Sequence, residues 1–196
     1  MSHHALVVLA PGCEELEAVA SIDTLVRGGI QVTVASICPQ GRLQITASRG
    51  VKLVADVLLE SVADQPFDLI LLPGGLPGAE YLRDNPLLIH MLKAQRARGG
   101  WRAAICASPA LVLAHHDLIG PAKVTGYPGT EGQLPANGFI AQAVVVDEDE
   151  RLITSQGPGT AIDFGLKIID LLVGREKAYE VASSLVMPAG IYNYYE

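Results

Sequence analysis

Cys106 stands where a nucleophile would stand. The apolar run 101–105, WRAAI, leads straight into it, and Ala107, Ser108 and Pro109 follow, small enough for a tight elbow. If the run is a strand and the next segment a helix, the thiol meets a helix amino terminus, whose free N–H groups and dipole favour a thiolate. The same amides could hold a sulfinate or a tetrahedral oxyanion. A buried core cysteine is the competing reading, since free cysteine is among the most buried residue types. Glu17 is the second group with chemistry to offer. It follows Glu14 and Glu15 in the first turn of an expected helix, where acids gain from the dipole, but it falls beside Leu16 and Ala20. A carboxyl buried there has a raised pKa and can exchange a proton with a nearby thiolate.

The elements around these residues read as alternating strands and helices. Strands are expected at 5–10, 30–36, 68–72 and 101–105, with two short β pieces in 42–54 and a short strand at 123–125. A hairpin or adjacent pair is expected at 142–146 and 151–153, with the acidic run 147–150 as a solvated turn. Helices are expected at 14–27, 86–98, 108–114, 160–173 and 175–185. The first shows Leu16, Val19, Ala20, Asp23 and Val26 at spacings of three and four, and Gly28-Gly29 stops it. Pro86 suits a first turn, as does Pro109, with Ser108 as its cap. The aromatic tail IYNYYE is expected to pack on the body. One domain over 1–196, an α/β sandwich with a mostly parallel sheet and helices on both faces, is the simplest account. In such sheets ligands collect at the carboxyl ends of strands. Residues 11–17, Gly74-Gly75, 104–108 and the turn after 123–125 each follow an expected strand directly.

Composition excludes several classes. The net charge is −7 and Lys and Arg form no stripe, so stable nucleic acid binding is not expected. No apolar run reaches membrane-spanning length, and the amino terminus enters a strand without the layout of a signal peptide. Cys13, Cys38 and Cys106 are odd in number and widely spaced, with no CxxC pair, which suits a reducing, cytoplasmic compartment and no zinc site. The 147–150 acids lack EF-hand spacing. No GxSxG elbow and no GxGxxG after the first strand occur, and no histidine falls where it would pair with Cys106. No metal and no cofactor are expected. Charged residues make up only 18% of the chain, which leaves room for a subunit interface.

Six motifs, in order, carry a family likeness: APGCEELEAV at 10–19, ASRG at 47–50, LPGG at 72–75, AAICASPA at 103–110, TSQGPGTA at 154–161 and LVGRE at 172–176. Over nearly its whole length the chain resembles the DJ-1/ThiJ/PfpI superfamily, nearest its bacterial YajL-like group. The resemblance implies a flavodoxin-like three-layer sandwich and a homodimer. It implies Cys106 as the elbow cysteine and Glu17 as a protonated carboxyl bonded to its sulfur. Gly75 and Ala107 would supply oxyanion-hole amides, with Gly74 lining the site. Arg49, Tyr127 and Gln156 would border the pocket or an interface anion site. Tyr127 and Gln156 stand where the human member has histidine and arginine, so histidine-assisted catalysis is not expected. Ala107 takes the position at which the family's proteases carry a histidine, which argues against a protease. Asp23 and Arg27 are candidate interface charges near the first helix. The activity implied is that of a cysteine-dependent deglycase or glyoxalase acting on small dicarbonyls such as methylglyoxal, or on glycated proteins and nucleotides, linked to oxidative-stress protection. The alternative is a non-enzymatic redox sensor or chaperone with a regulatory cysteine.

Overall fold

A computed structural model describes residues 3–187. The carboxyl-terminal tail motif lies outside the described residues. Strands β1 (His4–Leu9), β2 (Gln31–Ser36), β5 (Val57–Leu58), β6 (Leu69–Leu72), β7 (Trp101–Ile105), β8 (Val144–Asp147) and β9 (Leu152–Ser155) form one sheet in the order β5-β2-β1-β6-β7-β9-β8. Every neighbouring pair is parallel except β8 with β9. A separate antiparallel hairpin joins β3 (Gln44–Thr46) and β4 (Lys52–Val54).

Two-residue periodicity divides the core. In β1, Ala5, Val7 and Leu9 enter one layer, while Leu6 and Val8 enter the other. The first layer is covered by helices α1 (Glu15–Arg27), α4 (Ala161–Leu172) and α5 (Arg175–Ser184). The second is covered by α2 (Gly78–Asp84), α3 (Pro86–Ala97) and the helical turn Pro109–Ala114. On α4 alone, Phe164, Leu166, Ile168 and Ile169 are fully buried. Each such side chain contributes roughly 1.5–3 kcal/mol. The three-layer sandwich expected from the alternation is therefore the fold observed.

Four expectations need correction. The 123–125 segment is not a strand: it makes one parallel bridge, Val124 to Phe139. Helix α2 was not foreseen, because Pro77-Gly78 reads as loop. The 147–150 run is more than a solvated turn. Glu150 pairs with Arg96 at 2.9 Å and stands 3.9 Å from the fully buried Arg102, while Asp147 accepts the Lys123 and Glu150 amides. Lastly, the apolar spacing read on α1 faces solvent: Leu16, Val19 and Val26 are exposed. Small and polar residues make the inward face instead. Ala18, Ser21, Thr24 and Leu25 are buried there, and a Cβ at Gly165 of α4 would meet Thr24 at 2.8 Å. Close backbone approach selects small side chains, which a hydrophobic pattern cannot register.

Candidate active site

Cys106 follows β7 immediately and has φ +64°, the left-handed region that side chains other than glycine rarely occupy. A strain on the order of 1–2 kcal/mol is held by three bonds. The Cys106 amide donates to the Ser155 carbonyl at 2.9 Å, its carbonyl accepts from the Tyr127 amide at 2.8 Å, and Ser108 Oγ donates to the Pro73 carbonyl at 2.5 Å. Ser108 thus ties the elbow to the β6 loop and does not cap a helix; the six-residue segment after it is a wide π-type turn. So short a turn cannot provide the helix-dipole stabilisation expected of it.

Gly74 and Gly75 bring the β6 loop onto the elbow. A Cβ at Gly74 would lie 2.6 Å from Cys106 Cβ, and one at Gly75, which has φ +85°, would lie 2.5 Å from the Glu14 amide nitrogen. Only glycine permits either approach. The amides of Gly75 and Ala107 both hydrogen-bond the Cys106 sulfur. Both amides are therefore directed at the sulfur.

Glu17 is fully buried on α1. Its Oε2 accepts from the Gly74 amide at 2.7 Å. Its Oε1 is buried with no hydrogen-bond partner among the described residues, and the carboxyl interacts with the Cys106 thiol. Burial pushes the Glu17 carboxyl up to about 7, against the pull of the Gly74 amide and the thiol. Burial first, and then the Glu17 charge, push the Cys106 thiol up to about 12, while the Gly75 and Ala107 amides pull it down. The two groups therefore share protons, and both cannot be charged together at neutral pH. A protonated Oε1 gives that orphan atom a use, donating to a sulfur that already accepts two amides.

The expectation that a helix amino terminus favours the Cys106 thiolate is thus corrected. Cys13, which burial pushes up to about 12, is the other suppressed thiol. At Cys38 burial is outweighed by hydrogen bonds from Gln40 and Arg42 and by the Arg42 charge, and its pKa is lowered. What sets Cys106 apart is geometry: strain, two amides, a buried carboxyl and access to a cavity.

That cavity, about 310 Å³, is lined by Glu14, Ser48, Arg49, Gly75, Leu76, Cys106, Ala107, Tyr127 and Pro158. Arg49 and Tyr127 are in this lining; Gln156 lies outside it, its backbone amide donating to the Ala143 carbonyl at 3.2 Å. Asp23 and Arg27 lie away from it on the exposed face of α1, paired with each other at 2.7 Å. Leu76 was missed, and Glu14, Ser48 and Pro158 lie in motifs already singled out but were not named as lining residues. Glu14 also caps α1, accepting the Glu17 amide at 2.7 Å. No cluster of metal-ligating side chains occurs among the described residues.

This arrangement has relatives. Residues 3–171 match the DJ-1/PfpI family. Protein dj-1beta of Drosophila melanogaster is 43% identical over 95% of the chain and 98% of its own length. Protein DJ-1 homolog A of Arabidopsis thaliana is 46% identical over 93% of the chain, and the chain spans about half of that protein, 46%. Glutathione-independent glyoxalase DJR-1.2 of Caenorhabditis elegans is 37% identical, with 93% and 96% covered. Among solved structures, the VC2308 protein superposes with a TM-score of 0.92 at 41% identity, covering 96% of this chain and 95% of its own. Toxoplasma gondii DJ-1, in an oxidized form, superposes at 0.91 with 42% identity, covering 94% and 98%. With a flavodoxin-like sheet and a strained cysteine in contact with a buried glutamate, and with relatives that align nearly end to end, the chain belongs to the DJ-1/PfpI family.

Proposed function

We propose that the protein is a cofactor-independent, cysteine-dependent glyoxalase or deglycase. Its substrates would be methylglyoxal and the adducts of methylglyoxal with proteins and nucleotides. The observation that carries this reading is the buried Glu17 carboxyl in contact with Cys106, one of its oxygens being left without a hydrogen-bond partner. With Glu17 protonated, the thiolate is stabilised by the Gly75 and Ala107 amides. The thiolate adds to the aldehyde carbon, forming a C–S bond, and the carbonyl oxygen becomes an oxyanion near those amides. The Glu17 carboxylic acid protonates that oxyanion, and the carboxylate left behind takes the C1 proton and delivers it to C2 while the C1 hydroxyl proton passes to the C2 oxygen, giving an α-hydroxy thioester. Water cleaves the C–S bond, lactate leaves and the thiol returns. For an adduct, the amine or thiol it was bound to is the leaving group before this sequence. The worm relative's name gives independent support for glyoxalase chemistry without glutathione.

The same proposal includes one domain over 1–196, a place in the YajL-like group, a cytoplasmic location and a role in oxidative-stress protection. It also includes a homodimer. Exposed Leu16, Val19 and Val26 on α1, flanked by the Asp23–Arg27 pair, are suited to such an interface. No described helix is long and apolar enough to cross a membrane.

Lactate release from methylglyoxal-glycated substrate, followed at several protein concentrations with free methylglyoxal monitored separately, tests the reading. Many turnovers per subunit, lost in Cys106→Ser and reduced in Glu17→Gln, are expected. Stoichiometric consumption, or equal rates in Cys106→Ser, would overturn catalysis. It would favour a redox sensor or chaperone, a reading supported by the oxidized form of the Toxoplasma relative. In that case peroxide should convert Cys106 to sulfinate before the other thiols, stabilised by Glu17 and the two amides.

A further inference from the structure

Glu15 lies two residues before Glu17 and faces another way. It is nearly buried, and its carboxylate accepts Ser48 Oγ–H at 2.8 Å, the Arg49 amide at 2.8 Å and the Val51 amide at 3.4 Å. All three donors come from the turn between β3 and β4. That turn has few other ties to α1 and its approach: Ser48 donates its amide to the Cys13 carbonyl, and the Gly12 amide donates to Thr46. The remaining bonds of the turn, Ala47 to Val51 and Gly50 to Ala47, are internal. Ser48 and Arg49 line the Cys106 cavity. Arg49 is the only cationic side chain in that lining. Glu14, its anionic counterpart, is committed through Oε2 to the α1 cap.

We infer that Glu15 is a positioning residue. Its carboxylate latches the Ser48–Val51 turn onto α1 and so holds the Arg49 guanidinium at the mouth of the Cys106 cavity. A carboxylate suits this task because it accepts several N–H and O–H donors at once, and charge-assisted bonds are roughly twice as strong as neutral ones. An amide in its place keeps one acceptor oxygen and turns an NH2 group toward donors. The turn then loses its registration and Arg49 its fixed place. Held there, Arg49 raises the local concentration of anionic reagents over neutral ones of the same size. The inference rests on Cys106 being the reacting nucleophile, and it needs no turnover to be tested.

Alkylation of Cys106 by iodoacetate and by iodoacetamide provides the test. In both, the thiolate attacks the methylene carbon, a C–S bond forms and iodide leaves. Only the reagent's charge differs, so the ratio of the two rates cancels any change in thiolate fraction. Rates at Cys106 are read by peptide mass spectrometry at low salt. Arg49→Ala is expected to lower the iodoacetate-to-iodoacetamide ratio about fivefold. Glu15→Gln should lower it nearly as far with the iodoacetamide rate within about twofold of wild type, and raised salt should erase the differences. Ser48→Ala, which removes one of three donors, should give an intermediate ratio and serves if Glu15→Gln does not fold. A wild-type ratio in Glu15→Gln or in Ser48→Ala, with a lowered ratio in Arg49→Ala, overturns the latch. A wild-type ratio in Arg49→Ala overturns the assigned role of the guanidinium. Absence of Cys106 alkylation by either reagent would instead sink the nucleophile reading, and this inference with it.

Discussion

Strand β7 buries a titratable group near each end, and the surroundings of the two differ. Near the amino end, Arg102 is fully buried and gives its guanidinium to the carbonyls of Leu118 and Glu150, with the Glu150 carboxylate close by. Near the carboxyl end, roughly 13 Å along the strand, Cys106 holds a left-handed φ and contacts a carboxyl with an orphaned oxygen. Cavity size does not tell the ends apart. The hollow at the amino end is the larger, about 570 Å³, but no cysteine lines it; the smaller one opens on Cys106. Each end leaves one buried atom without a partner, Arg102 Nε at one and Glu17 Oε1 at the other. What the carboxyl end has and the amino end lacks is backbone strain and an open route to the buried group, and these make a reactive site.

The sharpest contrast is between Cys106→Ser and Arg102→Leu. Cys106→Ser should cut lactate release at least about 100-fold while moving unfolding free energy by less than about 1 kcal/mol. If a tenth of wild-type turnover survives, the carboxyl end is not the reactive one. Arg102→Leu should do the reverse. It strands two carbonyls and costs about 3 kcal/mol of stability in urea titrations. Its alkylation of Cys106 should stay within about twofold of wild type, and a large loss of labelling would couple the two ends.

The Glu17 carboxyl gives a pH test of similar size. Its folded-state pKa of about 7 lies above the ordinary 4.5, so the folded protein holds this proton more tightly than the unfolded chain. The contribution to stability is complete below about pH 4.5 and is lost as pH rises through about 7, on the order of 3 kcal/mol. Unfolding measured at pH 5 and pH 7.5 should show that decline in wild type and a flatter profile in Glu17→Gln. Parallel profiles would mean the carboxyl titrates normally. Smaller effects are expected further out. Ser108→Ala leaves the Pro73 carbonyl unpaired and should cost about 1–2 kcal/mol with reduced turnover, since the elbow loses its tie to the β6 loop. Gln156→Ala should change turnover less than about twofold, because the side chain does not line the cavity; a larger loss would return Gln156 to the site.

Much of this was legible beforehand for local reasons. The short apolar run 69–72, bounded by Asp68 and by Pro73-Gly74, reads as a buried strand, and the six ordered motifs carried the family likeness. Errors arose where local pattern and tertiary contact disagree. On α1 the apolar spacing pointed outward because Thr24 and Gly165 needed small partners. Ser108 had the right chemistry for a cap, but the nearby Pro73 carbonyl claimed it.

By itself the sequence determined the alternation of strands and helices, the elbow around Cys106, and the candidacy of Glu17, Gly74, Gly75 and Ala107. These follow from periodicity, small residues and motif order, all of which are written along the chain. A raised Glu17 was expected beforehand; only the tertiary structure set Glu15 apart from it, lowered where Glu17 is raised. Glu15 and Glu17 share one helical turn and one dipole. Glu15 meets donors from Ser48, Arg49 and Val51, and although burial acts to raise it, those bonds hold it below the usual carboxylate range. Glu17 meets a single amide and a sulfur, and burial carries it up to about 7. The count of donors that reach each carboxyl is set by residues thirty to ninety positions away, and no local pattern contains it.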